Sequence, residues 1–241
     1  MRRRPVAIAL LFAAAIVLGG CLQIGPPTKT QDFVVSPPWH APETAHYALL
    51  DRDNGKEIGQ GTLSVTEASG QYELSLKFQD KADYDNSAVL VDKSTLKPDS
   101  VHRDRSVDGK KNEITAKYDS TQNVVTITEI KSSGNRDVPH RLLKNYYDND
   151  SSLYLWRAVE PVIGFKMYYH TVVTGSGEQQ LVHYEVKGKD TVEVPAGKFE
   201  CWRIEIRANG VKQVVWYADT PERPLIQYDN SLQLFQLTSL T

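Results

Sequence analysis

Apolar and polar side chains alternate with a period of two along most of this chain. Tyr72, Leu74, Leu76 and Phe78 alternate with Gln71, Glu73, Ser75 and Lys77. Trp202, Ile204 and Ile206 alternate with Cys201, Arg203, Glu205 and Arg207, and Ile114, Ala116 and Tyr118 repeat the pattern less cleanly. Successive side chains of a strand point to opposite faces, so this pattern marks antiparallel strands with one dry and one wet face. Turn signals recur every eight to twelve residues, which predicts a meander closing into a barrel, half-barrel or sandwich. The expected fold is all-β, mainly antiparallel: a curved sheet, half-barrel or barrel with one short helix.

Two hairpins are placed by Asn54-Gly55 and Asn209-Gly210. Both pairs suit two-residue turns whose central residues need φ > 0. In the second, Ala208 faces Val211, which sets Trp202 opposite Tyr217, Ile204 opposite Val215, and Arg203 opposite Trp216 as a cation–π pair. In the first, Arg52 faces Glu57. The helix is expected over 151–159, with Asp150 or Ser151 as N-cap and Pro161 just past its end. Asp148 and Asp150 serve as cap and dipole partners. Leu153, Leu155, Trp156 and Val159 would cover one opening or face of the sheet.

The N-terminus breaks this pattern. Arg2, Arg3 and Arg4 precede Val6–Leu18, thirteen residues without a charged or hydrogen-bonding side chain. That is the length of a signal-peptide core and too short to cross a bilayer, which takes about 20 helical residues. Leu18-Gly19-Gly20-Cys21 follows and resembles the bacterial lipobox, in which the cysteine thiol takes a diacylglyceryl group. Residues 1–20 therefore read as a lipoprotein signal peptide with Cys21 as the lipidated residue. Five of the twelve prolines fall at 26, 27, 37, 38 and 42, so 21–43 reads as a proline-rich tether. Residues 44–241 form a single β domain.

Without residues 1–20 the chain carries 25 basic and 30 acidic side chains, a formal charge of −5. With the cations scattered among acids, nucleic acid is disfavoured as a partner. The two cysteines are Cys21 and Cys201; once Cys21 is a thioether, Cys201 is unpaired and reads as a packing residue.

No catalytic constellation emerges. Ser176, in Thr174-Gly175-Ser176-Gly177, lacks the spacing of a nucleophile elbow. Asp51, Asp53 and Gly55 fit a turn better than a calcium loop. If Ser176-Gly177 is a two-residue turn, His170 falls opposite His183, a pair with no visible third metal ligand. No metal site, cofactor or catalytic residue is assigned.

Val194-Pro195-Ala196-Gly197-Lys198-Phe199-Glu200-Cys201-Trp202, then Val215-Trp216-Tyr217-Ala218 and Pro224-Leu225-Ile226, resemble bacterial envelope proteins of domain-of-unknown-function family 3108. Asp92-Lys93-Ser94-Thr95-Leu96-Lys97-Pro98 resembles that family's connection between strands. The resemblance implies no activity. It implies an architecture similar to the lipoprotein carriers LolA and LolB, a curved sheet holding acyl chains on its concave face.

The expected function is that of a non-enzymatic envelope lipoprotein held at the cell membrane or outer membrane by its lipid, with its domain periplasmic or on the cell surface. An apolar or amphiphilic ligand such as lipid would lie against Tyr72, Phe78, Tyr118, Trp202 and Tyr217. The alternative is a structural or protein-interaction module with an envelope protein partner and a core filled by those same side chains.

Overall fold

The computed structural model describes residues 29–80 and 83–241. The signal segment at 1–20 and the lipidation at Cys21 lie outside the described residues. Eight strands come first: β1 (Glu43–Asp51), β2 (Glu57–Ala68), β3 (Gln71–Asp80), β4 (Tyr84–Asp92), β5 (Pro98–Val107), β6 (Lys110–Asp119), β7 (Val124–Ile130) and β8 (Arg136–Arg141). A short β9 (Tyr146–Asp148) leads through a 3-10 turn, Asn149–Ser151, into α1 (Ser152–Arg157). Then come β10 (Lys166–Val173), β11 (Glu178–Val194), β12 (Gly197–Ala208), β13 (Val211–Ala218), β14 (Leu225–Asp229) and β15 (Gln233–Leu240).

All fifteen strands join one sheet, in the order β8 to β1, then β15 down to β9. Neighbours in sequence are neighbours in the sheet, and β1 joins the two runs by pairing with β15. Every ladder is antiparallel except β9–β10. The sheet rolls up without closing. Its free edge β8 carries Arg136, Asp137, Pro139 and Arg141, the charge and proline that discourage further pairing. Gln179 of β11 spans the seam, donating to Arg141 O and accepting from Leu143 N, both at 2.7 Å.

The interior is filled by the protein itself. Residues 146–159 form an unbroken buried run, and α1 is buried along all six of its residues. A helix this short is unstable alone in water; burial on all sides holds it. Trp156 donates to the Tyr169 hydroxyl at 2.9 Å. The Tyr154 hydroxyl donates to Ser75 O at 2.5 Å. Two of the helix's C-terminal carbonyls, which have no partners within the helix, are met from outside: Arg223 donates to Arg157 O at 3.1 Å and Ser36 N to Ala158 O at 2.8 Å. In the first turn, Tyr217 donates to Leu153 O at 2.6 Å. The expected 151–159 helix is thus split into a 3-10 turn and a shorter α1. Of the two places expected for it, an opening or a face of the sheet, it takes the inner face, inside the roll.

The second half of the expected tether is also corrected. Residues 29–42 carry no strand or helix, yet Phe33 and Trp39 are in the core. Phe33 meets Tyr147, Tyr169 and Tyr184 edge-on at 4.9–5.6 Å, and Trp39 meets Tyr72 and Tyr154. Proline content shapes this segment but does not decide its packing; two aromatic side chains do, and the segment is a strap across one end of the roll. The Asn209-Gly210 hairpin is as read, with φ of 47° and 76° and Ala208 opposite Val211. The first hairpin is longer than expected. Asp51 pairs with Lys56, and its carboxylate accepts from the amides of Asp53 and Asn54. That cap stabilises a four-residue loop in which Gly55 but not Asn54 has φ > 0.

Replacing Trp156 or Phe33 by alanine should each cost about 3–5 kcal/mol in urea unfolding, whereas Val34→Ser, 91% exposed, should cost under about 0.5 kcal/mol. A neutral Phe33→Ala would mean that the strap does not contribute to the core.

Candidate functional site

The strap end of the roll holds a polar mouth of about 710 Å³ whose lining includes Asp32, Asp92, Lys97, Tyr118, Asn123 and Tyr146. Lys97 is its central cation. The turn before it is built by Asp92, whose carboxylate accepts from the amides and hydroxyls of Ser94 and Thr95. Those bonds hold Asp92 below the usual carboxylate range. Leu96 turns inward with φ 54°, leaving Lys97 over the rings of Tyr147 and Tyr146 at 4.0 and 4.8 Å. Its Nζ donates to Tyr146 O at 2.8 Å and to Asp32 of the strap at 2.5 Å. Burial lowers the Lys97 pKa and Asp32 opposes the shift.

Tyr118 forms part of this mouth and reaches a charge cluster sealed beneath it. Its hydroxyl donates to Asp148 Oδ2 at 2.6 Å, as does Thr174 at 2.7 Å, while Asp150 N donates to Asp148 Oδ1 at 2.7 Å. Arg103 grips Asp85 with two bonds, at 2.8 and 2.6 Å, and stands 3.6 Å from Asp150. Burial works against the guanidinium, but Asp150 and Asp85 outweigh it and keep it charged. Asp85 and Asp150 therefore share Arg103 at close range, with Asp148 within its field. Burial first, and then the charge of Asp150, push Asp148 up to about 7; burial also raises Asp150, against Arg103. Asp150 Oδ2 and Asn149 Oδ1 are buried without a hydrogen-bond partner. Asp148 and Asp150 are only 0% and 3% exposed, so a substrate cannot reach them in this conformation. Among the described residues, no group of three His, Cys, Asp or Glu side chains is arranged to hold a metal ion.

The five expected ligand contacts do not converge on one cavity. Phe78 packs on Phe235 at 5.2 Å, Tyr118 caps Asp148, and Tyr217 braces α1. Tyr72 is half-buried against Trp39, and half-buried Trp202 carries Lys189 over its ring at 4.2 Å. Where a ligand was expected, the roll holds α1 and the strap. The sequence reading missed Lys97, Arg103, Asp85, Phe33 and Trp39. Arg103 had a legible signal: it shares strand parity with Val101, and Asp85 with Val89 and Val91, so both point inward.

Three smaller readings are settled. The β10–β11 loop has four residues, because Val173 pairs with Glu178; His170 therefore faces Leu181, and His183 stacks on Tyr168 at 4.7 Å. The histidine pair does not form. Arg203 does stand opposite Trp216, but instead of a cation–π contact both turn to Asp190, Trp216 donating at 2.9 Å and Arg203 standing at 3.6 Å. Cys201 is unpaired and buried, and burial pushes its thiol up to about 12.

On the outer face of β3–β7 lies a second concavity of about 730 Å³, lined among others by Ala88, Leu90, Thr115, Val124, Thr126 and Thr128.

Comparison with known proteins gives a family and a fold. The model of the family described as "Protein of unknown function (DUF3108)" matches residues 44–229. No curated protein matches the chain. A β-barrel-like protein of domain of unknown function DUF1849 from Brucella abortus is similar in structure, with a TM-score of 0.56 and 11% identity over 86% of this chain and 98% of that one. A protein from Bacteroides fragilis, described as exported and of YmcC-like fold, aligns with a TM-score of 0.31 and 12% identity over 89% of this chain and 98% of that one.

The charge cluster has a measurable signature. Asp148 moves from 3.8 to about 7 on folding, so the folded state holds a proton that the unfolded chain has released. That stabilisation is complete below about pH 4 and is lost as the pH rises through about 7. The stability of the native protein relative to Asp148→Asn, which cannot ionise, should therefore fall by on the order of 2–4 kcal/mol between pH 4 and pH 8. Urea titrations across that range check it; a constant difference would show that Asp148 is ionised throughout.

Proposed function

The chain belongs to the DUF3108 family, and from that premise we propose that it is a non-enzymatic envelope lipoprotein, held at a membrane through Cys21, whose domain works through its surface as an interaction module. The observation that carries this reading is the filled interior: residues 146–159 and the strap residues Phe33 and Trp39 occupy the space that a carrier would leave for its cargo. The carboxylates able to do acid–base chemistry are sealed below Tyr118 and bound to Arg103, Thr174 and backbone, which supports a structural role for them. The outer concavity on β3–β7 offers a partner protein an apolar floor of Ala88, Leu90 and Val124 between threonines.

One observation favours a second reading, binding of an apolar or amphiphilic ligand. Phe33 and Trp39 reach the aromatic interior from a segment without ladder structure. Trp39 Nε1 and the hydroxyl of Tyr184, whose ring packs on Phe33, are buried without partners. If the strap lifts, a cleft lined by Tyr147, Tyr169 and Tyr184 opens.

Native mass spectrometry of the chain extracted from membranes separates the two. The interaction-module reading expects the polypeptide from Cys21 onward plus its acyl groups and nothing else, with no saturable uptake of a fluorescent fatty acid. A stoichiometric co-purifying lipid would favour the ligand reading instead. Cys21→Ser should move the protein from the membrane to the soluble fraction; unchanged fractionation would remove the anchor.

A further inference from the structure

The meander gives the roll two distinct ends. One carries the turns at 52–56, 108–109, 209–210 and 230–232; the other receives the strap and carries 93–97, 120–123 and 219–224. Exposed apolar side chains are distributed unequally between them. Of the seven large hydrophobic residues exposed among those described, Val34, Leu143, Val162, Ile163 and Leu240 belong to the strap end, Leu181 lies along a strand, and Leu232 sits at the far end. Val34, Val162 and Ile163 are 91%, 60% and 64% exposed. Their two loops converge on one ring: Phe33, next to Val34, and Phe165, two residues after Ile163, both pack on Tyr184, at 5.6 and 6.1 Å. The strap is also pinned on both sides of Val34, by Gln31 N to Tyr168 O at 2.9 Å and Ser36 N to Ala158 O at 2.8 Å. Val34 is thus held outward on a fixed loop, beside a second loop whose tip is Val162-Ile163.

We infer that this end of the roll docks directly on the bilayer, with Val34, Val162 and Ile163 dipping into the boundary between headgroups and acyl chains. The inference rests on the anchor proposed above and goes beyond it, because an anchor alone leaves orientation free. The length of chain commits the occupant. Seven residues lie between Cys21 and Lys29, and the eight steps from one to the other reach no more than about 29 Å at full extension. The strap continues from Lys29 into Gln31, Phe33 and Val34, so the lipid leaves from the same end that presents the apolar tips. The nearby acids Asp32 and Glu160 are paired with Lys97 and Arg223; Lys29, Lys144 and Lys166 are exposed at this end, as are Asp92, Asp99 and Glu222, so the docking rests on the apolar tips and not on net charge. A short amphiphilic surface of this kind binds weakly alone but adds to an acyl anchor as a second signal.

The test uses the full lipidated chain in vesicles of phosphatidylethanolamine with phosphatidylglycerol. An environment-sensitive fluorophore is placed singly at Val34→Cys, Ile163→Cys or, at the far end, Leu232→Cys. All three positions are exposed, and buried Cys201 stays unlabelled. Nitroxide-bearing lipids should quench the probes at 34 and 163 about threefold or more over that at 232, with emission shifted to the blue. A chain that floats with the vesicles but leaves all three probes equally wet overturns the docking and leaves the anchor standing. A chain whose mass shows no acyl group on Cys21, and which does not float, overturns both.

Discussion

Enclosing residues 146–159 within the rolled sheet is the constraint on which the other features depend. Fifteen strands in one sheet present a long apolar face, and a single sheet can bury that face only by rolling up around something. Here that something is the chain's own midpoint. Leu153, Leu155 and Trp156 fill the centre, and Tyr154 and Tyr217 tie the helix to β2, β3 and β13. The roll does not need to close because its contents hold both walls, and the seam beside β8 is bridged by a side chain, Gln179.

A helix inside a sheet brings its polar ends with it. The free carbonyls of Arg157 and Ala158 at its C-terminus are met by Arg223 and Ser36, and the Arg157 side chain is gripped by Glu43 and by Glu222 O. The N-terminal approach is met by Asp148, whose burial beside Asp150 requires Arg103 and Asp85 in turn. Buried charges are tolerable when paired and hydrogen-bonded, and breaking one pair leaves the rest uncompensated. The cluster therefore follows from where the helix is threaded. Its raised Asp148 is a consequence of that threading, which is why perturbed titration here is weak support for catalysis.

The strap completes the enclosure from the other side. Phe33 and Trp39 close the aromatic interior, and Asp32 ties the strap to Lys97. The same contacts that finish the core also fix the end of the domain at which the chain enters from residue 29. Core packing and the path of the chain at this end are coupled through about a dozen residues that have no regular secondary structure of their own.

Much of the fold was legible because strand periodicity and turn chemistry are local. Alternation in 71–78 and 201–207 marked the strands. Asn209-Gly210, with two residues able to take φ > 0, fixed the register of β12 against β13 down to Trp202 opposite Tyr217. The motifs around Val194–Trp202 and Asp92–Pro98 identified the family. What stayed hidden depended on distance in sequence. Alternation shows which side chains are dry, not whether they face a cavity or another segment, so Tyr118 and Tyr217 read equally well as ligand contacts or core. Proline counts could not show that Phe33 and Trp39 would find aromatic partners more than thirty and often more than a hundred residues away. The sequence alone determined strands, turns, family and the candidate acyl site at Cys21. Only the tertiary structure decided that the roll encloses its own helix, because burial is settled by what packs against a face, and that is not written in the face itself.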